Sequence, residues 1–155
     1  MAESLDVPVA FTDPEYISAV VDLLGVIAYG EISAFERLAE DAKLAPSLED
    51  KVALASMAAT ELGHVQGLHD RIRILGGDPF AAMAPFREAI DAFHAHTAPA
   101  DWYEGLIKAY VGDGLASDFY REIAAYLDPD TRDVVIRTLD DSLHTAFVTL
   151  SRSLI

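Results

Sequence analysis

Two acid–histidine pairs with the same spacing are the residues of this sequence best suited to chemistry. Glu61 and His64 are three residues apart, and Asp141 and His144 repeat that spacing near the C-terminus. Side chains at this spacing lie on one face of a helix, so a carboxylate and an imidazole can bind the same metal ion. Each pair therefore predicts half of a metal site.

Two further acids extend this pattern. Glu31 precedes Glu61 by 30 residues, and Asp113 precedes Asp141 by 28 residues. A short internal repeat, AYGE ending at Glu31 and AYVGD ending at Asp113, accompanies this spacing. In four-helix bundles, two-metal sites combine one acid from each of two helices with an acid–x–x–His pair from each of the other two. The sequence thus predicts a metal site formed by Glu31, Glu61, His64, Asp113, Asp141 and His144.

The composition limits which groups can bind there. The chain has 155 residues, of which 52% are hydrophobic, and this is enough for one globular domain spanning residues 1–155. The absence of cysteine excludes disulfides, iron–sulfur clusters and thiolate ligands. Histidine and carboxylate remain as strong ligands, and this set suits iron, manganese or zinc.

The net charge and the N-terminal sequence predict the partners and the cellular location of the protein. A net charge of −15 argues against a general nucleic-acid binder, because phosphate contacts need a basic surface. The first residues lack the basic and apolar regions of a signal peptide, and no uninterrupted apolar run approaches the ~18 residues of a membrane span. These observations predict a cytoplasmic protein without membrane contact.

Capping residues and prolines divide the chain into four long predicted helices, which indicates an all-α four-helix bundle. These helices are predicted over residues 14–43, 48–75, 101–127 and 129–155. The segment 77–98 is too long for a hairpin turn. It predicts a crossover with one short helix near residues 85–94.

Hydrophobic periodicity places three of the predicted ligands within apolar stripes. Glu31, Glu61 and Asp113 each share a face with large apolar residues of their own helix. An ionised carboxylate in such a position is costly unless it is paired or bound to a metal. Asp118 lies on another face and is predicted either at the surface or behind the metal ligands without binding the metal itself.

The predicted fourth helix is apolar on two sides. Ile136 and Leu139 point nearly opposite to Asp141. Either one of the two sides lies in a subunit interface, which predicts a homodimer, or Asp141 is not in the core. Asp140 is the alternative ligand after a small rotation of the helix.

The other histidines and the large aromatic residues have simpler interpretations. The histidines predicted at the surface are His69, His94 and His96. The aromatic residues interpreted as packing residues are Tyr29, Trp102, Tyr110 and Tyr120.

With these residues in place, the chain resembles the ferritin-like superfamily and, within it, the actinobacterial proteins similar to the MiaE tRNA hydroxylase. The resemblance rests on AYGEISAFERLAEDA, ATELGHVQGLHDRI, the stretch from Asp91 to Pro129 and the final DDSLH. It implies a ferritin-like bundle with two iron ions, or manganese at one or both positions, bound by the six ligands named above. Asp113 and Asp141 stand where such proteins usually have the longer Glu.

The implied activity is hydroxylation of an organic substrate with O2 and external electrons. The sequence identifies neither the substrate nor the electron donor. The resemblance makes tRNA a candidate substrate, whereas the net charge of −15 argues against it. The alternatives are a ferritin-like protein for iron oxidation or peroxide removal, and a bundle without catalytic activity.

Overall fold

Five helices make up most of the computed structural model, which describes residues 11–139, 148–149, 151–152 and 154–155. They are α1 (Pro14–Ala42), α2 (Leu48–Ile74), α3 (Pro79–His96), α4 (Trp102–Ala124) and α5 (Pro129–Ile136). No β-strand occurs within these residues. The all-α prediction is therefore confirmed.

Each helix begins after a side chain that accepts a hydrogen bond from a backbone N–H of the first turn. These capping residues are Asp13, Ser47, Asp78, Asp101 and Asp128. The bonds satisfy N–H groups that no helical carbonyl can reach, and such a cap contributes about 1 kcal/mol. Because capping is local, the sequence predicted the starts of α1, α2, α4 and α5 closely.

The helices α1 and α2 form the main pair and pack against each other over most of their length. One apolar cluster joins Leu24 and Ile27 of α1 to Leu68 of α2. A second cluster joins Leu38 of α1 to Leu54 of α2. Later residues of α1 thus meet earlier residues of α2, so the two helices are antiparallel, as their short connection predicted.

By length and composition alone, α1 could also cross a membrane. It packs against α2, α3 and α4, and the buried carboxylate of Glu31 lies near its middle. These are the properties of a core helix in a soluble-type helical domain. The cytoplasmic location stays a prediction.

The crossover between α2 and α4 contains a longer helix than predicted. The helix α3 has 18 residues and continues through Pro85, where the sequence indicated a loop before a short helix. Proline removes one helical hydrogen bond. Packing of Ala82 and Met83 in the first cluster, and a hydrogen bond from the Tyr29 hydroxyl to Asp91, stabilise the helix on both sides of Pro85.

The last predicted helix, over residues 129–155, is broken among the described residues, because α5 ends at Ile136 and helical residues recur at 148–149 and 151–152. The N–H groups of Thr138 and Leu139 donate to carbonyls only three residues back. The Thr138 hydroxyl also donates to the Val135 carbonyl at 2.7 Å. These bonds tighten the last turn and end the α-helical pattern.

Polar contacts at both ends of α2 bind the C-terminal part of the chain. Asp128, the cap of α5, accepts from Arg71 of α2 at 2.9 Å and from the Tyr16 hydroxyl of α1 at 2.7 Å. At the opposite end of α2, Arg152 donates to Asp50. Asp128 and Arg152 are therefore held at opposite ends of α2.

Gly25 allows α3 to approach α1 closely. A Cβ at this position would lie 2.3 Å from the Ala82 carbonyl oxygen. We expect Gly25→Ala to lower the free energy of unfolding by about 1–3 kcal/mol, because the backbone of α3 must move. Urea denaturation measures this change.

The control is Gly67→Ala on α2, where an added Cβ meets no atom within 4 Å. Alanine is expected to raise the stability there by about 0.5–1 kcal/mol, because it restricts the unfolded chain more than glycine does. Equal stability of the two variants would contradict the close packing of α3 on α1.

Candidate metal centre

Glu31 of α1 meets Glu61 and His64 of α2 where the two helices pack together. The distance from Glu31 Oε2 to His64 Nδ1 is 3.1 Å, and Glu61 Oε2 lies 4.0 Å from the same nitrogen. One possible ligand atom from each of the three side chains lies within 4.8 Å of the other two. The structure thus brings together three of the six predicted ligands.

These three side chains are almost completely shielded from water. The exposed fractions of the Glu31, Glu61 and His64 side chains are 6%, 10% and 11%. Along α1, Glu31 lies between Ile27 of the first apolar cluster and Leu38 of the second. Two carboxylates around one imidazole at this depth form a site whose charge a divalent cation would neutralise.

The donor set fits an iron or manganese ion. Carboxylate and imidazole groups are common ligands of both metals. Bonds of about 2.0–2.2 Å hold the nitrogen and oxygen donors of one ion at most about 4.4 Å apart. The donor atoms of Glu31, Glu61 and His64, which lie within 4.8 Å of one another, are therefore close to the separation that one ion requires.

Asp113 of α4 lines the same cavity as Glu31 and Glu61. It is half-buried, so it is less embedded than its apolar stripe predicted. Tyr120, two turns further along α4, is near all three acids. Burial, and then repulsion from the charges of Glu31, Glu61 and Asp113, raises the pKa of Tyr120 above its usual value. The phenol therefore stays protonated and can donate a hydrogen bond beside the carboxylates.

The cavity next to these acids has a volume of about 420 Å³. Its walls come from α1, α2, α3 and α4, and most of the described lining is apolar, including Leu38, Met57 and Ala109. Small-molecule sites usually have volumes of roughly 300–1,000 Å³ and mainly apolar walls with a few polar groups. The cavity has the size and character of such a site.

The second acid–histidine pair cannot be compared with its prediction. Asp141 and His144, and the alternative ligand Asp140, lie outside the described residues. Their role as ligands stays a prediction. Asp118 is exposed on α4, which agrees with the first of its two predicted positions.

His69 was predicted at the surface, and this prediction is wrong. The residue is 9% exposed, and its ring packs edge-on against Phe80 at the start of α3. Its Nε2 atom is buried without a hydrogen-bond partner among the described residues. His69 follows Leu68 of the buried stripe, and this position was a partial signal of burial. The contact with Phe80 that covers His69 is tertiary, so the sequence alone did not reveal it.

Three charged residues of the cavity were also missed. Arg37 and Asp41 of α1 and Lys108 of α4 all line it. Arg37 and Asp41 are four residues apart, a spacing that is common on solvated helix faces. Only the approach of α4 to α1 distinguishes them from ordinary surface residues.

The fold and the buried cluster of acids and histidine define a helical-bundle protein with a carboxylate-rich centre. The family model described as "Ferritin-like domain, actinomycetes" matches residues 14–153. The match covers most of the sequence, so the chain belongs to this family, and the predicted ferritin-like fold is confirmed. No protein of curated function matches the chain significantly.

The burial of His69 predicts a dependence of stability on pH. Burial, and then the charge of Arg73, lowers the pKa of His69 from its ordinary value of 6.5. As the pH falls below about 6.5, the unfolded chain takes up a proton before the folded protein does. Stability therefore decreases until the pH reaches the lower pKa of the folded state.

We expect His69→Leu to lose less stability than the parent between pH 7 and pH 5.5, by up to about 1 kcal/mol. At pH 7 the variant should be at least as stable as the parent, because the buried Nε2 lacks a partner among the described residues. Urea denaturation at both pH values measures the difference. Identical losses in the two proteins would contradict a buried, neutral His69.

Proposed function

We propose that the protein is an O2-dependent oxidoreductase that hydroxylates a small organic substrate at a di-iron centre, as in the MiaE-like family. When bound, the iron pair would supply the redox chemistry. With two external electrons and two protons, one atom of O2 enters a C–H bond as a hydroxyl group and the other leaves as water. The external electrons require a separate reductant.

The observation that carries this proposal is the cavity of about 420 Å³, whose lining includes Glu31, Glu61 and Asp113. A protein that only oxidises iron or removes peroxide needs a path for small ions and molecules. It does not need a largely apolar space of this volume beside its metal ligands. The cavity therefore favours an organic substrate.

The described ligands would act through charge and position. Glu31 and Glu61 would neutralise the metal charge from two different helices, and the imidazole of His64 would help to hold one ion. Asp113 would approach from α4 across the same cavity. The predicted ligands Asp141 and His144 would complete the second metal position.

Other residues around the cavity would bind the substrate and disfavour water. Tyr120 remains protonated, so its hydroxyl can donate a hydrogen bond to a carboxylate or to the substrate. Leu38, Met57 and Ala109 present apolar surface that disfavours water beside the reacting centre. The volume suits a small molecule, and the net charge of −15 opposes tRNA as the substrate.

Metal binding provides the direct test of this function. We expect the parent, prepared without oxygen, to bind two equivalents of Fe(II) and to unfold at a higher temperature with the metal, because the ions bind only the folded state. Glu61→Ala and His64→Ala should each lose at least one equivalent and most of the thermal shift. Metal analysis and calorimetry measure both effects.

The matched control is Asp118→Ala, which removes an exposed acid of α4 and should bind metal like the parent. Less than one equivalent of any transition metal in the parent would contradict the metal centre. Rapid oxidation of Fe(II) by peroxide, with O2 consumption that no organic compound changes, would favour iron oxidation or peroxide removal instead.

A further inference from the structure

The cavity beside the metal ligands extends along α1 and α4 toward a second group of polar residues. A Cβ on Gly30 would lie 4.0 Å from the Tyr120 hydroxyl, and a Cβ on Gly105 would lie 3.0 Å from the Asp41 carboxylate. Early residues of this stretch of α1 therefore face late residues of α4, and the helices are antiparallel here. All four residues line the cavity, so it spans from Glu31 to Asp41.

Two basic residues, Arg37 and Lys108, line the part of the cavity away from the metal ligands. The chain has only 11 basic residues against 26 acids, so two basic residues in one cavity are unusual. Neither forms an ion pair with a carboxylate of the described residues. The arginines that do have such a partner are Arg71, Arg73, Arg87, Arg121 and Arg152.

Lys108 is held in position by α3. Its Nζ donates to His94 Nδ1 at 3.1 Å and lies 5.6 Å from the centre of the Phe93 ring. Burial, and then repulsion from Arg37, lowers the pKa of Lys108, although Asp41 acts in the opposite direction. A second anion would therefore stabilise the charged form of this amine.

Asp41 is the acid at this end of the cavity, and it does not cancel the two cations. It is 7% exposed, and burial raises its pKa, while Lys108 and Arg37 oppose that rise. Among the residues that line this end of the cavity, one carboxylate stands against two cations. Glu40, which also raises the pKa of Asp41, does not line the cavity and pairs with Lys43. Leu38 and Met57 provide apolar surface in the same cavity.

We propose that Arg37 and Lys108 bind the anionic group of an amphipathic substrate, either a carboxylate or a phosphate ester. The apolar part of that substrate extends along α1 toward Glu31 and Glu61. Arg37 is six residues from Glu31, which is roughly 9 Å along the helix axis, so the bond to be oxidised is remote from the anionic group. The description of this ligand as a substrate rests on the proposed function, whereas its binding does not.

Isothermal titration calorimetry of the full chain tests this proposal with three probes of equal chain length: octanoate, octyl phosphate and 1-octanol. We expect at least one of the anions to bind about tenfold or more tightly than the alcohol, both without metal and with Mn(II). A charge-assisted hydrogen bond contributes enough for such a ratio. The tighter of the two anions identifies the preferred head group.

Variants of the two basic residues test where the anionic group binds. Arg37→Gln and Lys108→Gln should each weaken anion binding about tenfold and leave 1-octanol unchanged. Arg121→Gln and Lys43→Gln remove exposed charges of the same type and should have no effect. If a glutamine variant fails to fold, Arg37→Lys and Lys108→Arg replace it, and these should keep most of the affinity.

Three results would overturn the proposal. The anions could bind no better than 1-octanol, or the exposed-charge controls could weaken them as much as Arg37→Gln does. The preference for anions could also depend on Mn(II) and be unchanged in the Arg37 and Lys108 variants. That result would indicate that the head group binds the metal. Anion binding through Arg37 and Lys108 in a protein that binds no metal would refute the proposed function alone.

The orientation gives a second readout in protein loaded with Mn(II). The paramagnetic ion should relax the methyl protons of bound octanoate faster than the protons next to its carboxylate, because the methyl end lies toward Glu31 and Glu61. The reverse order would contradict the proposed direction of the substrate.

Discussion

The structure depends on the burial of two carboxylates beside one imidazole in the middle of a helix pair. Glu31 and Glu61 come from antiparallel helices, and His64 Nδ1 is 3.1 Å from one and 4.0 Å from the other. Apolar clusters lie on both sides of this layer, with Ile27 in one and Leu38 in the other. Burying such a polar layer inside a core is costly. The contact between His64 and Glu31 offsets part of this cost, and the proposed metal ion would offset more by neutralising the carboxylates.

The helix α4 forms one wall of the cavity beside these acids. It packs against α1 at far fewer positions than α2 does, and the space that remains between them is the cavity. Apolar side chains of α4 such as Ile107 and Phe119 are about half exposed. The predicted homodimer would cover apolar surface of this kind, but it stays a prediction. The cavity itself has acids at one end and two cations beside Asp41 at the other, an asymmetry that the proposed anionic substrate would match.

The sequence predicted what depends on local patterns and missed what depends on helix packing. Helical periodicity placed Glu31 and Glu61 inside apolar stripes, and both are buried. The sequence indicated a loop before a short helix near residues 85–94, whereas α3 begins at Pro79. The packing of α3 on α1 that stabilises the longer helix is not visible in the sequence. His69 is buried by an aromatic ring from α3, and Lys108 enters a cavity only because α4 lies beside α1. These contacts require the tertiary structure.

The most direct test of the metal centre is an anomalous difference map from a crystal grown with Fe(II), measured at the iron absorption edge. The account predicts a peak within bonding distance of Glu31, Glu61 and His64. It also predicts a second peak about 3.5–4 Å away on the side of Asp113, the spacing typical of two-metal sites. Iron bound only at surface residues such as His96, with no peak between Glu31 and Glu61, would contradict it.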